Sequence, residues 1–213
     1  MRRELEPAER HRTLCDRGPL PCRSLPPPCV QERQRLQQCL KHTINNIAGR
    51  PAVSVAELNA IADGLISGRT PRLLHPHRTP FLGNYDVNVL ECALRTLGLE
   101  LTWHDQRDTA FSALDPAADR LVAVILNVAC GGWWSRLLAA RHWYALRTLR
   151  GGGAWYNLDS RLAAPRPVAA LLAEEGGEAL PEAAALRRYL SQQAERHQAQ
   201  VFLVMQAIQP QPP

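Results

Sequence analysis

The chain has 213 residues, 46% of them apolar and 21% charged, which is long enough to bury a core of its own and ordinary for a globular protein. Its net charge of +5 is spread out, with no Lys/Arg block interleaved with aromatics, and this argues against a nucleic-acid partner. No apolar run reaches membrane-spanning length, and Met1-Arg2-Arg3-Glu4 puts charges where a signal peptide needs an apolar core; an intracellular, cytosolic protein with reduced thiols is expected, the nucleus not excluded.

Residues 1–28 hold six of the 17 prolines and show no apolar period, so they are expected to be a disordered extension. Cys15 and Cys22 within this region, and Cys29 just after it, have no CxxC pair or histidine at ligand spacing, so no metal and no cofactor are expected. A domain over 29–208 follows, with 209–213 a loose tail.

Leu36, Leu40, Ile44 and Ile47 recur at helical spacing, and Gly49-Arg50-Pro51 ends the helix they predict. One position round, Cys39, His42 and Asn46 form a second row, expected at the half-wet edge of the core. Cys39 sits near the helix start, where the positive end of the dipole favours thiolate over thiol. Lys41, the only lysine, lies two positions along and points away from the thiol. His42 offers a base on the thiol's own helix, but it lacks an approach across a cleft and reads as a structural neighbour.

Ser54-Val55-Ala56-Glu57 is a capping box opening a helix through Leu58, Ile61 and Leu65, closed by Gly68. Residues 69–80, with His75 and His77, read as a loop. Asn84 or Asp86 caps a further helix burying Val87, Leu90, Ala93, Leu94 and Leu97, stopped at Gly98; Cys92 lies off that stripe and reads as structural.

From Leu99 the period changes. Leu99, Leu101 and Trp103 alternate with polar residues, 121–128 is a continuous apolar run, and 142–149 and 154–158 form a hairpin across Arg150-Gly151-Gly152-Gly153. A helix over 181–195 and a strand over 201–208 complete the chain. Helices first and strands later predict an α+β fold with an antiparallel sheet.

A helix-start cysteine needs a base on a rigid element to become a nucleophile. Folding the hairpin about a turn between 149 and 150 sets His142 opposite Asn157, so an amide orients the imidazole while its other nitrogen faces Cys39. That is the papain-like division of labour. Asp159, two residues on, is the alternative third member.

The chain also resembles the Josephin family of cysteine deubiquitinases. Gln34, Cys39, His42, Asn45 and Asn46 match its opening pattern, and Gly83-Asn84-Tyr85-Asp86-Val87-Asn88-Val89 its middle signature. Arg141-His142-Trp143-Tyr144-Ala145-Leu146-Arg147 and Trp155-Tyr156-Asn157-Leu158-Asp159-Ser160 match its later blocks. The resemblance implies a papain-like fold with a helical lobe packed on an antiparallel sheet, and a monomer acting on ubiquitin and ubiquitinated proteins. It implies Cys39 as nucleophile, His142 as general base, Asn157 as the orienting group and Gln34 as an oxyanion donor. Leu40 stands where the family has a small residue, a departure expected to alter helix seating or narrow the cleft. It motivates a second reading, a weak or inactive ubiquitin-binding adaptor of the same fold.

Overall fold

The computed structural model of the chain describes residues 31–33, 38–66, 75–79, 84–130, 140–149 and 153–208. The extension expected over 1–28 with Cys15 and Cys22, and Cys29, Gln34, Gly68, Gly83 and the tail over 209–213, lie outside these residues.

Among the described residues the elements run α1 (Cys39–Ala48), α2 (Val55–Gly64), α3 (Val87–Arg95), β1 (Leu99–Trp103), β2 (Leu121–Ala129), β3 (Arg141–Thr148), β4 (Trp155–Asn157), β5 (Arg166–Pro167), α4 (Val168–Glu174), α5 (Glu182–His197) and β6 (Gln200–Gln206). The strands form one sheet in the order β1-β6-β2-β3-β4-β5, antiparallel at every step. This is the α+β arrangement that the sequence predicts.

Side chains alternate across a strand, and here both sides are dry. Ala123, Ile125, Trp143 and Ala145 join the core beneath α1, α2 and α3, while Val124, Leu126, Tyr144 and Leu146 join a second core with α4 and α5. The uninterrupted apolar run of β2 follows from this, because a strand covered on both faces has no polar phase. A second helical layer thus covers the face opposite the helical lobe. Its α4, and the two-residue β5 before it, are too short for a period to announce them.

The helix starts are local. Ser54 accepts from Glu57 N and Glu57 returns the bond to Ser54 N, and Asp86 accepts from Asn88 N and Val89 N. Helix α2 stops at Gly64, four residues before the expected Gly68. Helix α1 has no side-chain cap at its start and ends on Gly49, whose φ of 65° is the left-handed conformation that glycine adopts without a Cβ penalty. Past that turn Asn45 holds the chain, accepting from Ala52 N at 2.9 Å and Val53 N at 2.8 Å.

Helix α1 is fixed along β3 at both ends. Arg147 is buried and donates to the Ile47 carbonyl, at the end where carbonyls lack intrahelical partners and a cation offsets the dipole. From Cys39 to Ile47 the helix rises about 12 Å. From Trp143 to Arg147 the strand advances about 13 Å, so both contacts are met by two rigid elements in step.

Ser54→Ala should lower the unfolding free energy by about 1 kcal/mol through loss of the capping box. Urea denaturation with an unchanged m-value checks this; no change in midpoint would show that the box contributes nothing.

Candidate active site

Cys39 is the first residue of α1 and only 4% exposed, with His42 at 3% and Asn46 at 1%. The half-wet edge expected for this row is therefore dry. Two segments bond to it, one just ahead of the helix and one distant in sequence: His42 Nδ1 lies 2.8 Å from Glu32 Oε2, and Asn46 Nδ2 donates to the Leu158 carbonyl at 3.0 Å. Leu40 is fully buried in the first core, so the larger side chain beside the cysteine is absorbed by packing rather than by the cleft.

Burial is the largest influence on the Cys39 thiol and pushes its pKa up from the ordinary 9.0. The backbone N–H groups of Trp143 and Leu40 and the charge of Arg161 pull it down by less. The helix start acts in the expected direction through Leu40 N–H, but desolvation outweighs it and the resting group is a thiol. A sulfur within reach of Trp143 N–H lies against the strand residue directly after His142.

His142 is 1% exposed on β3. Its Nε2 lies 2.7 Å from Asp159 Oδ1, and its Nδ1 is buried with no hydrogen-bond partner among the described residues. An acceptor-only carboxylate fixes the ring proton on Nε2 and leaves the lone pair on Nδ1.

The hairpin register differs from the expected one. Leu146, not His142, stands opposite Asn157, a pairing displaced by four residues from the expected one. Leu158 N bonds Ala145 O at 2.8 Å and carries that register one residue further. Residue 159 then falls opposite 144, on the face of His142 and diagonal to it, within reach of a carboxylate. Asn157 is a pair further away. Its Nδ2 donates to Tyr189 Oη at 3.0 Å and its Oδ1 accepts from Asp159 N at 2.8 Å. The structure thus sets Asp159 on the imidazole and Asn157 behind Asp159; Gln34 lies outside the described residues.

The remaining candidates are placed elsewhere. His75 pairs with Asp63 at 3.1 Å and His77 with Asp86 at 2.8 Å, and no metal-binding cluster occurs among the described residues. Cys92 is half-buried on α3. Lys41 Nζ reaches Glu32 at 3.3 Å. Sequence reasoning missed Gln31, Glu32, Tyr189 and Arg161, whose N–H donates to Asp159 Oδ1 at 2.9 Å. Only the three polar residues His42, Asn45 and Asn46 on one stretch of α1 hinted that a polar segment must cover that helix.

A helix-start cysteine packed on the strand that carries a buried histidine is the layout of the papain-like cysteine-protease fold. The sequence profile of the Josephin family matches residues 34–205. The chain is 38% identical over 160 residues to Josephin-2 of Homo sapiens, covering 75% of this chain and 81% of that protein. To Josephin-2 of Mus musculus it is 37% identical over 169 residues, 79% and 85% of the two chains. To a Josephin-like protein of Arabidopsis thaliana it is 41% identical over 147 residues, 63% of this chain, and spans only 39% of that longer protein. The chain belongs to the Josephin family, whose general type is the cysteine-protease-like deubiquitinase.

In the resting protein, alkylation of Cys39 by iodoacetamide should rise with pH through a midpoint above 9.0, since burial favours the neutral thiol. The same shift stabilises the fold below the pH at which an unfolded cysteine ionises, a contribution lost as pH climbs past the folded value. A rate already on its plateau at neutral pH would instead show a preformed thiolate–imidazolium pair.

Proposed function

We propose that the chain is a thiol-dependent deubiquitinase that hydrolyses the bond between the ubiquitin C-terminal glycine and an amine. One observation carries this reading: His142 has one ring nitrogen engaged by a carboxylate and the other buried and unpaired, on the strand against which the Cys39 thiol packs. Membership of the Josephin family supplies the substrate class.

His142 Nδ1 takes the Cys39 proton as the sulfur attacks the glycine carbonyl carbon, and Asp159 stabilises the imidazolium that forms. The tetrahedral oxyanion is met by the N–H of Cys39, one of the four at a helix start without an intrahelical acceptor, and by the side-chain amide of Gln34. The intermediate collapses to a thioester as the imidazolium gives its proton to the leaving lysine amine. Water, deprotonated by His142, then attacks the thioester carbonyl and releases the ubiquitin carboxylate and the thiol. Asp159 is the group that orients the imidazole; Asn157 supports Asp159 from the second core.

Leu40 lies in the core rather than in the cleft, which supports the enzyme reading over an inactive adaptor of the same fold.

A ubiquitin carrying a C-terminal electrophile should add once to the protein, and the adduct should vanish in Cys39→Ala and persist in Cys92→Ala. Turnover of a ubiquitin amide should fall on the order of 10³-fold in Asp159→Ala and much less in Asn157→Ala. Labelling at Cys92 would remove Cys39 from the site, and the reverse order of the last two variants would return the orienting role to Asn157.

A further inference from the structure

Gln31 and Glu32 stand just ahead of the region that the family profile matches, yet they bond to both flanks of the site. The Glu32 carboxylate lies 2.8 Å from His42 Nδ1 and 3.3 Å from Lys41 Nζ, and accepts from Asn45 Nδ2 at 2.9 Å. Its backbone N–H donates to Asn46 Oδ1 at 2.7 Å. Four polar residues of α1, Lys41, His42, Asn45 and Asn46, are thereby met by one residue, three through its carboxylate and Asn46 through its backbone N–H. The neighbouring Gln31 donates through Nε2 to the Asp159 carbonyl at 2.6 Å, and Asn46 Nδ2 donates to the Leu158 carbonyl one residue earlier.

These bonds form a closed buckle from α1 to Glu32, on to Gln31, across to Asp159 and back through Asn46. The buckle ties the Asp159 segment to α1. Strand β4 ends at Asn157, and past the Leu158 N–H bond to Ala145 the segment that carries the carboxylate is held by turn bonds within residues 157–162 rather than by a sheet ladder, so the Gln31 bond is its link to the amino-terminal side of α1. We propose that Glu32 is a positioning residue for the reaction: by locking the Gln31–Glu32 strap onto α1 it holds the Asp159 segment, and through it the His142 ring, in register with the Cys39 thiol. It also fixes the point from which the chain departs toward Gln34. The inference rests on the deubiquitinase reading for its kinetic consequence, while the geometric consequence stands on the buckle alone. A merely structural role, filling polar needs on α1, would cost stability without touching the His142–Asp159 bond.

The test compares the full-length protein with Glu32→Ala, Glu32→Gln, Gln31→Ala and the remote cap variant Ser54→Ala. It reads three quantities: kcat and KM on a ubiquitin C-terminal fluorogenic amide, the melting temperature, and the low-field proton resonance of the His142 ring N–H, assigned by its loss in His142→Ala. Glu32→Ala and Gln31→Ala should lower kcat by roughly 10- to 100-fold, the scale of a 1 Å misplacement. KM should stay within about twofold, since ubiquitin binding is not what the strap provides. The ring resonance should weaken or move upfield. Glu32→Gln, which keeps an acceptor for Asn45, should recover part of both, and Ser54→Ala should lose stability with neither change. Wild-type kcat and an unchanged resonance in both strap variants would overturn the proposal, as would a kcat loss that only tracks melting temperature across the set, Ser54→Ala included. If Glu32→Ala fails to fold, Glu32→Gln and Gln31→Ala decide it by the same readings. Wild-type protein that does not turn over the amide would sink the deubiquitinase reading instead, and the ring resonance alone would then show whether Glu32 holds the pair.

Discussion

The seating of α1 along β3 is the constraint on which the rest depends. At one end the buried Arg147 guanidinium closes the last carbonyls of the helix, and at the other the Cys39 sulfur meets Trp143 N–H. A buried guanidinium without its acceptor would cost several kcal/mol, so the contact resists sliding in either direction. Trp143 is itself tied down, its indole N–H donating to the Tyr85 carbonyl at 3.2 Å just before α3 begins. The spacing between Cys39 and the strand that carries His142 is therefore set by core packing. On the proposed reading, loops have only to bring Asp159 and the substrate.

That division explains the electrostatics. Placing the thiol in the core secures its position and raises its pKa, so a strong nucleophile cannot simply be stored there. The proton must leave through a base that is equally buried and whose receiving nitrogen has nothing else to do. An unpaired buried imidazole nitrogen is costly in a protein that only folds, and on the proposed reading it is the proton acceptor left unengaged for the Cys39 thiol. The supports come from both sides of the sheet. Cys39 belongs to the first core, while Asn157 leans on Tyr189, which bonds Tyr144 at 3.4 Å within the second. Loosening either layer reaches the site.

Much of this was legible in the residues. The capping box at Ser54, the Asp86 cap, the glycine stops at 49 and 98 and the long strand at 121–128 are local signals, and each sits where the sequence puts it. The positions of Cys39 at a helix start and of His142 on a strand follow from element type and order. The hairpin register was not legible, because three adjacent glycines do not say which of them is the turn, and the observed pairing, four residues out from the expected one, sets Leu146 opposite Asn157 and brings Asp159 diagonal to the His142 ring. Nor was the dryness of the Cys39 row. Periodicity reports the face a helix buries against its own core, and nothing in it reveals that residues 31–32 and 158–159 will cover a second face. Gln31 and Tyr189 carry no pattern of their own; they matter through partners far along the chain.

The two edges of the sheet offer very different terms to a second molecule. Strand β5 is two residues long and includes Pro167, which has no N–H to give, so backbone pairing stops there. Strand β1 is five residues long, and Trp103 at its end is 54% exposed. What guards it is charge: Glu100 projects from the middle of the strand and pairs with Arg120 at 3.2 Å, so an incoming chain must strip a solvated ion pair before it can hydrogen-bond to the edge. Resistance of the folded protein to edge-to-edge aggregation is thus concentrated in one surface glutamate, distant from the chemistry and irrelevant to it.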